Sequence, residues 1–183
     1  MKIRSLAATA LVALVFLSPV AVGQPLQAKP AFNEDWKKGR ETGLPIPRFV
    51  SLKARTAYLR VGPSTDFATI WVYTAQGLPL EITQEYGNWR RVRDADGTTG
   101  WMFAPLISSK RTAVIGPWLQ QPIPLRSAPS RSARVIARLL PEVRLDLVNC
   151  DGTWCRAVLQ RERLRGYVSQ ASLWGVYPDE TVE

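Results

Sequence analysis

The chain has 183 residues and a formal net charge of +9, because 24 Lys and Arg residues outnumber 15 Asp and Glu residues. It contains no histidine, which excludes Ser-His and Cys-His nucleophile systems and removes the commonest metal ligand. The composition therefore favours a binding protein, without a metal or other cofactor, over an enzyme.

The first 23 residues have the pattern of a secretory signal peptide. Lys2 and Arg4 give a positive start, residues 6–17 are nearly all apolar, and Ala21-Val22-Gly23 places small residues before a cleavage point. An uncleaved membrane anchor is the alternative, although the apolar run is shorter than the roughly 20 residues of a spanning helix. We therefore expect a periplasmic or secreted protein, with no transmembrane span in its mature form. Its positive charge would meet anionic envelope polymers rather than nucleic acid, or keep the chain in solution.

Residues 24–47 form a polar segment with four prolines. The segment has no sustained apolar period, so it lacks the pattern of a strand or helix that could pack on a core. We predict a flexible leader that becomes ordered only as it approaches Arg48.

Residues 48–178 contain the same motifs twice, in the same order, at an offset of about 65 residues. The matched motifs are Leu59-Arg60-Val61-Gly62-Pro63-Ser64 with Leu125-Arg126-Ser127-Ala128-Pro129-Ser130, Leu80-Glu81-Ile82 with Leu145-Asp146-Leu147, Gly87-Asn88-Trp89 with Gly152-Thr153-Trp154, and Gly100-Trp101-Met102 with Gly166-Tyr167-Val168. The order and the constant offset indicate a tandem duplication. We predict a first domain at 48–110, a connector at 111–121, a second domain at 122–178 and a tail at 179–183.

Each unit has the pattern of short β-strands separated by turn residues. Runs rich in aromatic and β-branched residues occur at 58–61, 71–73, 80–83, 89–92 and 100–103 in the first unit, and at 145–148, 155–159 and 166–169 in the second. Short strands at close intervals predict a small all-β barrel for each unit. In the stretches 80–83 and 89–92, we expect apolar side chains to face inward and charged side chains outward.

The two units are expected to pack together. A domain of about 60 residues buries only about 60% of its chain surface and is marginally stable alone. The connector contains Val114-Ile115-Gly116-Pro117-Trp118, which is too apolar for a free linker. We therefore predict one two-lobed body, with Trp118 and Trp174 closing the seam.

Both cysteines lie in the stretch 149–156, which could be a metal clip, a redox pair or a staple across a hairpin. Four residues separate Cys150 from Cys155, unlike the two of a redox motif, and a metal site needs more ligands than two. Asp151-Gly152 is a turn dipeptide, which places the cysteines on facing strands in an oxidising compartment. We favour a structural disulfide, worth about 2 kcal/mol for so short a loop.

The repeat assigns a counterpart to this pair. Alignment of the two hairpins places Glu85 opposite Arg90 in the first unit, where the second unit has the cysteines. A cross-strand ion pair, worth about 0.2–1 kcal/mol, would then fasten the first hairpin.

Several motifs together resemble the bacterial SH3 domain family. In the first unit they are Ser51-Leu52-Lys53, Leu59-Arg60-Val61-Gly62-Pro63-Ser64, Gly77-Leu78-Pro79-Leu80, Trp89-Arg90-Arg91-Val92 and Asp94-Ala95-Asp96-Gly97-Thr98-Thr99-Gly100-Trp101; in the second they are Cys150-Asp151-Gly152-Thr153-Trp154-Cys155-Arg156 and Leu173-Trp174-Gly175-Val176-Tyr177-Pro178. The resemblance implies a five- or six-stranded SH3-type barrel for each unit. It also implies binding rather than catalysis, because members tether cell-wall enzymes to peptidoglycan or act as interaction modules of the envelope.

One surface of the first unit is a candidate ligand site, made of Arg60, Trp71, Tyr73, Arg90 and Arg93. Guanidinium groups beside aromatic rings suit anionic or sugar-peptide polymers. A solvated basic face is the alternative. Since Trp71 and Tyr73 have no aromatic counterparts in the second unit, a contact between the units is a further alternative for this pair.

A pair of carboxylates is the nearest approach to a catalytic motif. Asp94 and Asp96 could form the carboxylate pair of a glycosidase, but Asp-Ala-Asp-Gly is a turn sequence.

We predict a non-enzymatic binding module of the cell envelope that contacts peptidoglycan or an envelope protein. An accessory regulator of a cell-wall hydrolase and a nonspecific polyanion binder are the alternatives.

Overall fold

The computed structural model describes residues 37–183, which are almost entirely β-structure. The predicted signal peptide at 1–23 and the start of the predicted leader, residues 24–36, lie outside the described residues. Among residues 37–183, no helix is long and apolar enough to cross a membrane.

The first unit is a seven-stranded antiparallel sheet that follows a small hairpin. The hairpin strands are β1 (Lys37–Lys38) and β2 (Pro45–Ile46); the sheet strands are β3 (Arg48–Leu52), β4 (Ala57–Arg60), β5 (Thr69–Tyr73), β6 (Pro79–Tyr86), β7 (Trp89–Arg93), β8 (Thr99–Phe103) and β9 (Ile107–Ser108). A short 3₁₀ turn, Ala104–Leu106, connects the last two strands. The strand order across the sheet is β5-β4-β8-β7-β6-β3-β9.

The second unit repeats this topology strand for strand. Its strands are β10 (Thr112–Ile115), β11 (Ile123–Arg126), β12 (Val135–Leu139), β13 (Arg144–Asp151), β14 (Trp154–Leu159), β15 (Leu164–Ser169) and β16 (Leu173–Trp174), with a 3₁₀ turn at Gln170–Ser172. The order is β12-β11-β15-β14-β13-β10-β16, which is the order of the first sheet with each number raised by seven. The predictions of a tandem duplication and of two small β domains are therefore confirmed.

The irregularities of the sheets are duplicated as well. The register shifts between Ile82 and Gln84 in β6, and between Leu147 and Asn149 in β13. Such bulges bend a strand and increase its twist, which helps a small sheet to curl around its core. The buried apolar core of the first unit comprises Val50, Leu52, Ala57, Leu59, Tyr73, Leu80, Ile82, Val92 and Met102. That of the second includes Ala113, Ile115, Leu125, Leu145, Ala157, Val168 and Leu173.

Part of the predicted flexible leader is ordered, because it binds the first barrel. Strands β1 and β2 pair within residues 37–46, and Gly39 donates its amide to the carbonyl of Leu44 at 2.7 Å. The backbone amides of Glu41 and Thr42 donate to the Glu85 carboxylate at 2.9 and 3.0 Å. These contacts satisfy a buried charge, and the leader composition alone does not reveal them.

The predicted connector and tail both contribute strands to the second sheet. Residues 112–115 of the predicted connector are buried as β10, which pairs with β13 and β16. A final strand, β17 (Thr181–Val182), lies in the predicted tail and pairs with Cys150 and Asp151. The second sheet therefore extends beyond the predicted limits of 122–178, because strand pairing links segments that are distant in sequence.

Aromatic rings close the seam between the units. The Phe49 ring meets Trp174 edge-on at 5.2 Å between centroids and lies 4.6 Å from Tyr177. The Tyr177 hydroxyl donates to Glu81 Oε1 across the seam at 2.9 Å, and Arg144 donates to the carbonyl of Gln76. Trp174 thus contacts the first unit as predicted. Trp118 is 44% exposed, and its indole packs over Gly116 of its own segment.

The expected separation of apolar and charged faces is wrong for three residues of the first unit. Glu81 and Arg90 are buried, whereas Trp89 is only half-buried. Glu81 is buried because the second unit covers the outer face of β6, and Arg90 because it points toward Glu85. Both strands therefore have polar groups on a buried face, where each group is hydrogen-bonded.

Candidate functional site

The five predicted ligand residues of the first unit do not share one accessible surface. Tyr73 is only 5% exposed, and its hydroxyl donates to Asp94 Oδ2 at 2.8 Å. Burial, followed by the hydrogen bond to Asp94, raises the pKa of Tyr73 well above its ordinary value. Asp94 also accepts the amides of Asp96 and Thr98, so it holds a turn and anchors a core tyrosine.

Arg90 is likewise part of the interior. It is 8% exposed, and its Nη1 donates to the carbonyls of Gly87 and Trp89, each at 2.8 Å. Its Nε lies 3.6 Å from Glu85 Oε1, which matches the cross-strand pair expected from the repeat. These contacts leave its guanidinium little freedom to meet a ligand.

Arg93 lies at the seam between the units. Its Nη2 is 2.6 Å from Glu81 Oε2, and its guanidinium lies 5.2 Å from the ring centroid of Trp174. The arginine therefore pairs with a buried carboxylate of its own unit and stacks on a ring of the other.

Arg60 and Trp71 remain on the surface of the first unit. Trp71 is 56% exposed, and Arg60 donates from Nη1 to the carbonyl of Phe67 at 2.7 Å. The Arg60 guanidinium also lies 5.9 Å from the centroid of the Tyr58 ring. Ligand binding here stays a prediction for these two residues alone.

The Glu85 carboxylate binds the leader to the hairpin that β6 and β7 form in the first unit. Its side chain is fully buried. The carboxylate accepts hydrogen bonds from Arg48 Nη2 at 2.7 Å and from the Thr42 hydroxyl at 2.7 Å. Burial disfavours its charge, but the hydrogen bonds from Thr42, Arg48 and the backbone amides outweigh burial and lower its pKa to about 2. A Cβ at Gly39 would clash with this carboxylate, so the leader passes it at the closest approach that glycine allows.

A disulfide closes the corresponding hairpin of the second unit. Cys150 and Cys155 face each other across β13 and β14 and are bonded, as predicted. Asp151 accepts the amides of Trp154 and Thr153 at 2.7 and 2.8 Å, and these bonds lower its pKa. Gly152 adopts a φ of 93°, a conformation that favours glycine. The turn is therefore fixed both covalently and by its own hydrogen bonds.

The rigid turn forms one wall of an open pocket in the second unit. The pocket has a volume of about 350 Å³, and its lining residues are Ile123, Pro124, Arg126, Arg131, Thr153, Trp154, Ser169 and Ser172. This volume lies at the lower end of the range for small-molecule sites. The lining combines one indole ring, three hydroxyls and two guanidinium groups, and it contains no acidic residue.

The equivalent position in the first unit is covered by an aromatic ring. Trp154 pairs with Ser169 in the second sheet, and Trp89 pairs with Phe103 in the first. The rings of Trp89 and Phe103 lie 5.5 Å apart, whereas Ser169 is too small to reach across Trp154 in this way. The pocket therefore lies where the second unit has a serine at the position that holds a phenylalanine in the first.

None of the pocket residues is among the ligand residues predicted from the sequence. The aligned repeats do contain a signal, because Phe103 corresponds to Ser169 two positions after the matched Trp101 and Tyr167. Arg126 is the repeat counterpart of Arg60, which is itself a predicted ligand residue, whereas Arg131 is one of many dispersed basic residues and carried no signal of its own. Within the described part of the chain, no group of three or more His, Cys, Asp or Glu residues could hold a metal ion.

Comparison with known proteins agrees with the repeated topology. The family model described as "Bacterial SH3 domain" matches residues 53–109 and again residues 120–175. No curated protein sequence matches the chain. Among solved structures, an NlpC/P60 family protein from Bacillus cereus ATCC 10987 matches at 12% identity and a TM-score of 0.30, over 69% of this chain. This chain spans about half (55%) of that structure.

Bacterial SH3 domains are binding modules of the cell wall rather than catalytic domains. The two family matches cover more than half of the sequence, and each spans every strand of one sheet except the first, β3 or β10, and, in the second sheet, β17. The chain therefore belongs to the bacterial SH3 domain family, as two copies in tandem.

Proposed function

We propose that this protein is an exported, non-enzymatic binding module of the cell envelope, and that it contacts peptidoglycan. The observation that supports this most directly is the pair of bacterial SH3 units, of which the second presents an open pocket with an indole and two arginines. Peptidoglycan combines sugars, which pack on aromatic faces, with acidic peptides, which pair with guanidinium groups.

An extracytoplasmic location is part of this proposal. The disulfide between Cys150 and Cys155 is typical of proteins that mature in an oxidising compartment. The predicted signal peptide at 1–23 would deliver the chain there. Both features fit a basic protein that works next to an anionic polymer.

A binding role also fits the titratable groups of the described residues. Asp94 is committed to a turn and to Tyr73, and Glu81 and Glu85 are paired with arginines. A general acid or base needs a perturbed carboxyl group within reach of a substrate. The buried carboxylates here are instead satisfied from within the fold.

Co-sedimentation with purified sacculi tests the proposal. The mature protein is incubated with sacculi at low salt and again at about 0.3 M salt, where exposed charges are strongly screened. We expect binding to persist at the higher salt. Lysozyme-digested sacculi, added as a competitor, should reduce it. Heparin beads serve as a control polyanion.

The other outcomes are informative as well. Equal binding to heparin and to sacculi, with loss of both at the higher salt, would indicate a nonspecific polyanion binder. No sedimentation, together with one envelope protein recovered by crosslinking in cells, would replace peptidoglycan with a protein partner.

A further inference from the structure

The pocket of the second unit combines charge and apolar surface in a way that selects a ligand. The two arginines lie on β11 and on the loop after it, and the two serines lie at the end of β15 and in the 3₁₀ turn. Ile123 and Pro124 provide apolar surface beside the Trp154 ring. A ligand that fits must therefore have a negative group next to a compact apolar part.

The guanidinium groups are available for an anion. No ion pair between residues 37 and 183 involves Arg126 or Arg131. Arg126 is half-buried and is oriented by its own hydrogen bond from Nη1 to the carbonyl of Ala133 at 2.7 Å. Arg131 is exposed at the rim. An oriented arginine with a second arginine nearby suits a planar carboxylate, which accepts two parallel hydrogen bonds.

The walls of the pocket are held in place before any ligand arrives. The disulfide and Asp151 fix the turn that carries Thr153 and Trp154. The amide of Gln170 donates to the carbonyl of Thr153 at 2.9 Å, which ties the 3₁₀ turn with Ser172 to the same hairpin. A pocket whose walls are fixed in advance binds without the entropic cost of ordering them.

We propose that this pocket binds the C-terminal carboxylate of a short peptide with small side chains. The arginines receive the carboxylate, the serine and threonine hydroxyls hydrogen-bond to the peptide groups, and Trp154 packs on the aliphatic side chains. The inference rests on the proposed function in one respect: peptidoglycan would supply this ligand as a peptide stem.

An NMR titration of the mature protein tests the site. The probe is N-acetylated trialanine, with a free carboxylate and as the C-terminal amide. The reporter is the indole N–H of Trp154, assigned with Trp154→Phe. From the shift of this signal, we expect the peptide with the free carboxylate to have a Kd at least about tenfold lower than the amide. The reason is that the charged hydrogen bonds are lost in the amide.

Two matched pairs of variants locate the binding. Ser169→Phe places the aromatic residue of the first unit over Trp154 and should abolish the titration, whereas Phe103→Ser, the reverse exchange, should leave it unchanged. Arg131→Gln should weaken binding about tenfold, while Arg134→Gln, an equal change of charge on an exposed arginine outside the lining, should not. Since Arg131 is exposed, its variant tests the site even if Ser169→Phe does not fold.

Each remaining result counts for or against the site. The inference is overturned if the amide binds as well as the acid, if inorganic phosphate displaces the peptide completely at equal concentration, or if Arg134→Gln and Arg131→Gln weaken binding equally. Peptide binding without sedimentation on sacculi would keep the pocket and reject peptidoglycan. Sedimentation that survives Ser169→Phe and Arg131→Gln would keep the proposed function and reject the pocket.

Discussion

The two units have one topology, but they fasten the same hairpin by different chemistry. In the first unit, Glu85 and Arg90 face each other, and Arg48 and the leader complete a buried cluster. In the second, Cys150 and Cys155 occupy the equivalent positions and are covalently joined. A covalent link needs no further partners, whereas a buried carboxylate needs several. The first hairpin therefore recruits the leader, and the second does not require it.

The two units also differ in the side chain that stands opposite the equivalent tryptophan. Trp89 is covered by Phe103, while Trp154 faces Ser169. The two units thus share one strand order but differ at a surface position, Phe103 in the first and Ser169 in the second.

The largest expected effect concerns the seam that makes the two units one body. Phe49→Ala removes a buried ring that packs on Trp174 and Tyr177, and it should lower the free energy of unfolding by about 3–4 kcal/mol. Calorimetry should then show two transitions instead of one. Phe67→Ala, at an exposed phenylalanine, is the control and should cost much less. A single transition with unchanged stability would contradict the seam.

Replacement of the buried carboxylate should destabilise the hairpin of the first unit and not that of the second. Glu85→Gln leaves Arg48 and Arg90 without a counter-charge, so the free energy of unfolding should fall by about 3 kcal/mol. Protease cleavage within residues 37–47 should become faster as the leader hairpin loosens. Glu162→Gln, at an exposed position, should change neither quantity. Unaltered cleavage in Glu85→Gln would show that the leader does not depend on this carboxylate.

The lowered pKa of Glu85 predicts acid sensitivity of the first unit. Its pKa falls from an ordinary value of 4.5 to about 2 in the folded chain, so folding favours the charged form. The resulting stabilisation is complete above about pH 4.5 and is lost as the pH falls toward 2. Denaturant melts at pH 6, 4 and 2.5 should show this loss, and the loss should be smaller in Glu85→Gln. An equal decline in both proteins would assign the acid effect to other groups.

Reduction should loosen the hairpin of the second unit locally and have the smallest effect. Opening the disulfide should lower the free energy of unfolding by about 2 kcal/mol, the value expected for a short closed loop. Hydrogen exchange should accelerate at Thr153 and Trp154, whose turn also contains Asp151. The hairpin at 85–90 contains no cysteine and serves as the internal control. Equal acceleration in both hairpins would mean that reduction lowers the stability of the whole body rather than loosening this hairpin locally.

The sequence alone predicted the duplication, the disulfide and the family. Each of these depends on local or repeated features: motifs at a constant offset, an Asp-Gly turn between two cysteines, and short alternating strands. The match of Glu85 and Arg90 with the cysteines followed from the same alignment, and the register confirms it. Such features survive without knowledge of distant contacts, because turn geometry and hairpin pairing act over a few residues.

Contacts between distant parts of the chain determine which faces are buried and which segments belong to each sheet. Alternation along β6 predicts that Glu81 faces solvent, but Tyr177 of the other unit covers it. Residues 112–115 are predicted as a connector, but they pair with β13 as β10. Burial of a side chain depends on what a remote part of the chain packs against it. The open face of Trp154 has the same origin, since it depends on which side chain stands opposite on the neighbouring strand.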